Sequence, residues 1–400
     1  MRELKRSSVV IICGAIIVTL SMGIRQAFGL FLPQMSAELD ISRATFGLAL
    51  AIQNLMFGLV QPFVGAIADK HGAGRVVAFG ALLYAAGLVA AAMVSSAIGL
   101  HLSLGVAIGM ALSATTFVVV LGVVGRVVPP DQRSLSFGIV TAGGSLGQFL
   151  VVPAGQMLLS EFGYRMALIV MAGLVAACIP LARGLAGKPA EYSAAGDVAQ
   201  SLPDALREAA GSGSYWLLNG GFFVCGFHIA FIATHFPAYL NDHGLGLQIG
   251  ATALALVGLF NIFGSYTFGV SGDRFRKKWL LSGIYGTRAI VIGLFLLAPL
   301  SSATALIFAA AMGFLWLGTV PLTSGLVGQI FGIRYLSTLY GIVFLSHQIG
   351  SFFGAWAAGL LYDRTGSYDI AWGVSIALGI AAMLLNLPIR DRPVPRLLAA

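Results

Sequence analysis

The chain has 400 residues, of which 58% are hydrophobic and only 10% are charged, and its mean hydropathy is +0.92. Soluble globular chains average about 25% charged residues, so a soluble fold of this length could not bury so much apolar surface. The composition therefore excludes an ordinary soluble protein and indicates a membrane protein with several spans. The net charge of +8 does not predict a nucleic-acid partner, because the basic residues follow a membrane pattern.

Apolar stretches of about 20 residues recur along the chain and predict an all-α protein with twelve transmembrane helices. The first stretch is expected to be a retained span, because it is about 25 residues long and no small-x-small cleavage site follows it. The expected spans are residues 8–33, 45–68, 75–95, 98–124, 135–158, 164–183, 214–240, 248–270, 278–298, 303–329, 336–360 and 368–388.

Lysine and arginine are distributed unevenly between the two sets of loops. The termini and the loops after even-numbered spans carry 18 of the 23 basic residues, whereas the opposite loops carry only Arg43, Arg165 and Arg364. Arg25 and Arg288 lie inside spans. Because basic loops stay in the cytoplasm, both termini are expected there, in a multi-pass protein of the inner (cytoplasmic) membrane.

This topology makes a direct prediction for reporter fusions. A reporter joined after Gly187 should be active in the cytoplasm, and one joined after His243 should report from the outer side. Activity tests of the two fusions check the orientation, and a periplasmic signal from the first fusion would contradict the span count.

A polar segment at residues 184–213 interrupts the apolar pattern near the middle of the chain. Its Gly, Ser and Pro content predicts a linker, with a short surface helix at Pro203–Ala210. The linker separates two predicted six-helix bundles, residues 1–183 and 214–400. The halves repeat: GAIADKHGAGR begins at Gly65 and GVSGDRFRKK begins at Gly269, an offset of 204. Parallel repeats of six spans are typical of transporters whose site lies between the halves.

These motifs give the chain a resemblance to the major facilitator superfamily. They are Gly65-x3-Asp69 with Arg75 in the loop after span 2, and the weaker copy that contains Asp273 and Arg274. The glycine permits close helix contact, and the carboxylate can cap a helix or pair with a cation. The resemblance implies that these residues latch the two halves on the cytoplasmic side; the alternative is a solvated turn.

Within the superfamily, RQAFGLFLPQM in span 1, GVAIGMALSATTF in span 4 and HQIGSFFGAW in span 11 look most like the monocarboxylate and oxalate/formate transporters. The chain departs from that branch in span 8, where NIFGS offers Asn261 and Ser265 in place of an arginine. It also has His101 where many superfamily members have an arginine, and it lacks the GPxxGG pattern of drug antiporters.

Arg25 is the most informative polar residue inside the spans. All 15 acidic residues fall in loops or at helix ends, so no carboxylate in mid-span is predicted to neutralise it. A charge at membrane depth is costly and often faces a functional cavity. Arg25 is therefore expected to bind an anion through its two-pronged guanidinium, although snorkelling to the headgroups is the alternative.

Other candidates for the substrate site lie in the second half. His228 and His347 can exchange protons near neutral pH, and Gln348 follows His347 directly. Asn261 and Trp316 are further candidate ligands, and plain packing is the alternative interpretation for Trp316. Arg288, on a helix expected to be peripheral, is interpreted as structural with a polar partner in its own half.

The sequence thus predicts a secondary transporter for a small organic anion, most simply a carboxylate, that works by alternating access with proton coupling or exchange. The alternatives are an exporter of neutral or amphipathic compounds, an intramembrane enzyme or a sensor. The chain has no Walker A signature, no metal spacing and no paired acid–nucleophile motif, so we expect no enzyme activity, cofactor or metal. We expect a monomer whose partners are its substrate, the lipid bilayer and protons.

Overall fold

The structure, a computed structural model, describes residues 2–41, 43–187 and 200–398. These ranges form helices joined by short turns and contain no strand, so the prediction of an all-α chain is confirmed. The middle of the predicted linker, residues 188–199 with Lys188, lies outside the described residues. The predicted short helix is confirmed as α10, Leu202–Ala210, whose N-cap Ser201 accepts a hydrogen bond from the Asp204 amide.

The chain divides into two compact units, each assembled from three segments. Unit 1 consists of Met1–Pro129, Gly143–Asp197 and Ile333–Gly341. Unit 2 consists of Pro130–Ala142, Val198–Gly332 and Ile342–Ala400.

Two helical stretches, α8 and α16, contribute residues to both units. α8 is kinked at Gly163, whose φ of +74° is not helical, so it consists of two helical segments. The helices in the first part of the chain are α1 Arg2–Ala27, α2 Leu32–Glu38, α3 Arg43–His71, α4 Ala73–Met93, α5 Ala97–Leu100, α6 Ile108–Thr115, α7 Phe117–Val127, α8 Arg133–Ala176 and α9 Cys178–Leu181. After α10, the helices are α11 Gly213–Asp242, α12 Gly246–Arg274, α13 Lys277–Leu297, α14 Ser302–Phe314, α15 Thr319–Phe331, α16 Leu336–Thr365, α17 Asp369–Asn386 and α18 Pro395–Leu398.

Eleven helical stretches in the described ranges are long and apolar enough to cross a membrane. Their outward faces carry large apolar side chains such as Phe63, Met93 and Leu297, which a lipid environment accommodates. The helix at the expected eleventh span, α16, has 30 residues and is about 45 Å long, although it is not among the eleven. The count of twelve and the cytoplasmic termini stay predictions.

Two spans are interrupted in mid-helix. The span predicted at 98–124 breaks at Thr116, whose extended backbone separates α6 from α7. The span predicted at 303–329 breaks over residues 315–318, between α14 and α15. These breaks lie at nearly equivalent positions of the two sequence repeats. Each exposes backbone groups that must find partners inside the protein, because lipid offers none.

Candidate functional site

Arg25 lies near the end of α1 and is half-buried. Its Nη2 atom donates to Asn54 Oδ1 on α3 at 2.5 Å, and the guanidinium carbon lies 5.7 Å from the centroid of the Phe57 ring. Among the described residues, none of the ion pairs includes Arg25. The guanidinium is thus oriented by an uncharged amide, and no carboxylate in the described part of the chain pairs with its positive charge.

Two other polar residues of α3 also make contacts between helices. Gln53 Nε2 donates to the Leu104 carbonyl at 2.9 Å, and Gln61 Nε2 donates to the Ser113 carbonyl at 2.8 Å. These bonds fix α3 against the span that contains α6, and so hold the face that carries Asn54.

The Asp69 carboxylate, at the end of α3, caps the beginning of α16. It accepts hydrogen bonds from the amides of Ser337 at 3.3 Å and Thr338 at 2.7 Å, and from Thr338 Oγ1 at 2.8 Å. Arg126 Nη1 donates to the same carboxylate at 2.7 Å, and both side chains are buried. A negative charge here satisfies two free amides of a helix start and interacts favourably with the helix dipole. Gly65 makes the approach possible, because a Cβ atom there would collide with the Ser337 carbonyl.

The second copy of the motif repeats this arrangement inside unit 2. Asp273 at the end of α12 accepts hydrogen bonds from the amides of Ser134 at 2.9 Å and Leu135 at 2.7 Å, in the first turn of α8. At Gly269, a Cβ atom would lie 2.9 Å from the Ser134 carbonyl oxygen. Each glycine and aspartate pair therefore holds a helix start, one in each unit.

The basic residues of the two motifs do not join these contacts in the same way. Arg75 and Arg274 are both exposed. The cation that pairs with Asp69 is Arg126, which the motif did not identify. Arg126 lies in the last turn of α7, directly after an unbroken apolar run. This position is the sequence signal that could have suggested a paired arginine.

His228, on α11 in unit 2, is fully buried. Its Nε2 atom is 2.8 Å from the Ser375 carbonyl, which can only accept, so Nε2 carries the hydrogen. Nδ1 then presents a lone pair, and this buried atom has no hydrogen-bond partner among the described residues. His235, two turns further along, differs: its two ring nitrogens contact the Tyr368 hydroxyl and the Ala355 carbonyl.

The break between α14 and α15 is stabilised by two side chains. Arg288 Nη2 donates to the carbonyls of Leu315 and Trp316, at 2.6 and 2.5 Å, and Asn261 Oδ1 accepts from the Leu317 amide at 2.9 Å. The structural role predicted for Arg288, with a polar partner in its own half, is confirmed. Its Nε and Nη1 atoms are buried and have no partner within the described ranges.

Cys225 and the remaining candidates of unit 2 also make contacts inside that unit. Cys225 Sγ is 3.2 Å from Thr319 Oγ1, at the start of α15. His347 Nδ1 is 3.1 Å from Gln348 Oε1, and its ring packs against Phe222 with centroids 4.9 Å apart. Trp316 belongs to the buried aromatic cluster of unit 2, which accounts for it by packing.

Asn261 now has a structural function that can be separated from ligand binding. We expect Asn261→Ala to lower the free energy of unfolding by about 1–2 kcal/mol, because it orphans a buried amide. Asn261→Gln, which keeps an uncharged amide oxygen as acceptor, serves as the control. Thermal unfolding in detergent measures both variants, and an unchanged melting temperature for Asn261→Ala contradicts the assignment.

Within the described ranges, no group of three or more His, Cys, Asp or Glu side chains is close enough to hold a metal ion.

The family described as the Major Facilitator Superfamily matches residues 13–331 of the chain. Monocarboxylate transporter 13 of Rattus norvegicus is 27% identical over 384 residues, which cover 92% of this chain and 86% of the relative. Monocarboxylate transporter 12 of Xenopus laevis is 26% identical, with 80% and 77% covered.

Solved structures give the same fold. The fucose:proton symporter FucP of E. coli superposes with a TM-score of 0.75 at 15% identity, over 96% of this chain and 98% of that chain. FucP in the outward conformation gives a TM-score of 0.72 at 16% identity, with 95% and 97% covered. The fold class and family resemblance predicted from the sequence are confirmed.

Proposed function

The chain belongs to the Major Facilitator Superfamily, and from this premise we propose that it moves a small monocarboxylate across the cytoplasmic membrane by alternating access. The relatives named monocarboxylate transporters support this class of substrate. In this proposal Arg25 holds the carboxylate, His228 carries the coupled proton, and the capping contacts of Asp69 and Asp273 steady one state. His347 and Gln348 are further candidate ligands.

The observation that carries the proposal is the environment of Arg25. Its guanidinium is held by Asn54 Oδ1 and lies beside the Phe57 ring, with no ion pair among the described residues. A carboxylate cargo supplies the missing negative charge and fits the planar donors of arginine. The unpaired charge of Arg25 is most costly when no ligand is bound. Binding of an anionic cargo beside Arg25 is therefore favourable.

The test compares each carboxylate with its neutral amide, for example lactate with lactamide. We expect the carboxylate to raise the melting temperature of the purified protein and to exchange in proteoliposome counterflow, while the amide does neither. Equal binding of the two compounds overturns the anionic substrate and favours the exporter of neutral compounds.

We also infer that transport is coupled to protons through His228. The free Nδ1 lone pair is a buried proton acceptor with no hydrogen-bond partner among the described residues. A bound anion lowers the electrostatic cost of protonating it. Anion binding and proton uptake then favour one another by linkage.

His228→Gln should therefore abolish uptake driven by an inward proton gradient and leave carboxylate exchange at equal pH near the wild-type rate. The matched control is His235→Gln, since both ring nitrogens of His235 are already occupied by protein atoms. Proton-driven uptake that survives in His228→Gln removes the coupling role.

A further inference from the structure

We propose that a basic cavity in unit 2, between the first turns of α8 and α13 and the last turns of α15, binds a phosphate group. The cavity has a volume of about 310 Å³, and its lining includes Arg133, Ser134, Lys277, Gly325 and Gln329. This site is separate from Arg25 and does not depend on the transported substrate. The phosphate can be inorganic, or it can be the terminal phosphate of a lipid headgroup such as phosphatidate.

Two cations, Arg133 and Lys277, line this cavity. None of the ion pairs in the described ranges includes Arg133 or Lys277. Lys277 Nζ donates to the neutral Gln329 Oε1 at 3.2 Å, and Gln329 Nε2 is in turn held by the Asp391 carbonyl. The ammonium therefore keeps two hydrogens for a ligand.

The cavity also contains buried donors that lack acceptors. Arg133 Nε and Ser134 Oγ are both buried and have no hydrogen-bond partner among the described residues, and Ser134 is 0% exposed. An unsatisfied buried donor is destabilising, because it has lost its hydrogen bonds to water without gaining others. An anion with several oxygens relieves both at once.

The carboxylates nearest this cavity are already engaged. Asp273 accepts the amides of Ser134 and Leu135, and Asp391 is bound by Arg276 through two bonds, at 2.7 and 2.9 Å. The hydrogen bonds from Arg276 hold the pKa of the Asp391 carboxyl below its usual value, so that carboxylate stays paired.

The charge and the size of the cavity select a phosphate over a monocarboxylate. A phosphate monoester carries about −1.5 to −2 charges at pH 7 and three strong acceptor oxygens, which match two cations and one hydroxyl. A monocarboxylate leaves one cation without a partner. A bound phosphate would bridge Arg133 in the first turn of α8 and Lys277 in the first turn of α13. It would therefore stabilise the packing of the first turn of α8 within unit 2.

Variants of the lining residues distinguish phosphate binding in this cavity from a general effect of the protein's net charge. Lys277→Met removes one of the two charges, whereas Lys278→Met makes the same change in net charge at a side chain that donates to the carbonyls of Leu387 and Ile389 instead. Gly325→Ala keeps all charges and fills the cavity, because its Cβ atom would lie 2.9 Å from Lys277 Cε and 3.2 Å from Ser134 Oγ.

The experiment titrates the purified full-length protein with inorganic phosphate and follows its melting temperature, with sodium chloride at equal ionic strength as the blank. A parallel arm uses nanodiscs with and without phosphatidate. We expect saturable stabilisation by one or both probes, about tenfold weaker in Lys277→Met and in Gly325→Ala and unchanged in Lys278→Met.

The two arms identify the source: stabilisation by phosphatidate alone assigns a lipid headgroup, and stabilisation by inorganic phosphate assigns a soluble ligand. The proposal is overturned by the absence of saturable stabilisation in both arms, or by equal weakening in Lys277→Met and Lys278→Met. If Lys277→Met does not fold, Gly325→Ala decides the outcome alone.

Discussion

Arg25→Ala is expected to weaken binding of the best carboxylate ligand by about 10- to 150-fold and to leave the unliganded protein folded. The physical reason is the loss of hydrogen bonds between a charged donor and a charged acceptor, which contribute about 1.5–3 kcal/mol. The guanidinium is oriented by Asn54 before the ligand arrives, so little of this energy is spent on ordering the side chain. Ligand affinity and melting temperature measured on the same preparation test the prediction.

Two further variants sharpen this result. Arg25→Lys keeps the charge but loses the planar fork, and is expected to fall between the wild type and Arg25→Ala. Asn54→Ala keeps the arginine and removes the acceptor that orients it, so its loss of affinity should be smaller. A snorkelling arginine predicts unchanged affinity in Arg25→Ala, and that outcome would remove the main reason for an anionic substrate.

Asp69→Asn is expected to slow transport by about tenfold in a protein that still folds. The asparagine keeps one acceptor oxygen but loses the charge that binds Arg126 and the amides of Ser337 and Thr338. Charged hydrogen bonds exceed neutral ones by about 1–1.5 kcal/mol, which is close to a tenfold change in a conformational equilibrium. Initial rates of counterflow in proteoliposomes, normalised to folded protein, measure the effect.

The repeat supplies the matched control for this prediction. Asp273→Asn should have the smaller effect, because Asp273 holds two backbone amides and has no arginine of the described ranges at ion-pair distance. Gly65→Ala should act in the same direction as Asp69→Asn, since its methyl group displaces the Ser337 carbonyl. A wild-type rate in well-folded Asp69→Asn contradicts the latch.

The sequence predicted the parts of the fold that depend on composition and repetition. Long apolar runs identified the spans, and the offset of 204 identified Gly65, Asp69 and their counterparts Gly269 and Asp273. It could not identify most partners of the two carboxylates, because four of those partners are backbone amides, which every residue except proline carries. The same applies to Arg288, whose acceptors are two carbonyls in an apolar stretch.

The candidate site was predicted less completely than the fold. The importance of Arg25 followed from the lack of carboxylates in mid-span, but its Asn54 partner depends on how α1 packs on α3. Asn261 and Trp316 were predicted as ligands because polar and aromatic residues in a span can serve that purpose. The structure gives Asn261 the Leu317 amide and places Trp316 in an aromatic cluster, and neither contact is encoded in local sequence.

The interrupted tenth span has a consequence for how the protein is made. Its two pieces, α14 and α15, have 13 residues each and are only about 20 Å long, against about 30 Å for the hydrocarbon core. The free amide and carbonyls between them have no partner in lipid. The side chains that satisfy them, Asn261 and Arg288, lie on α12 and α13, which leave the ribosome first. Asn261 and Arg288 are therefore synthesised before the break between α14 and α15 whose backbone groups they bind. The tenth span can then insert next to helices that are already in the membrane.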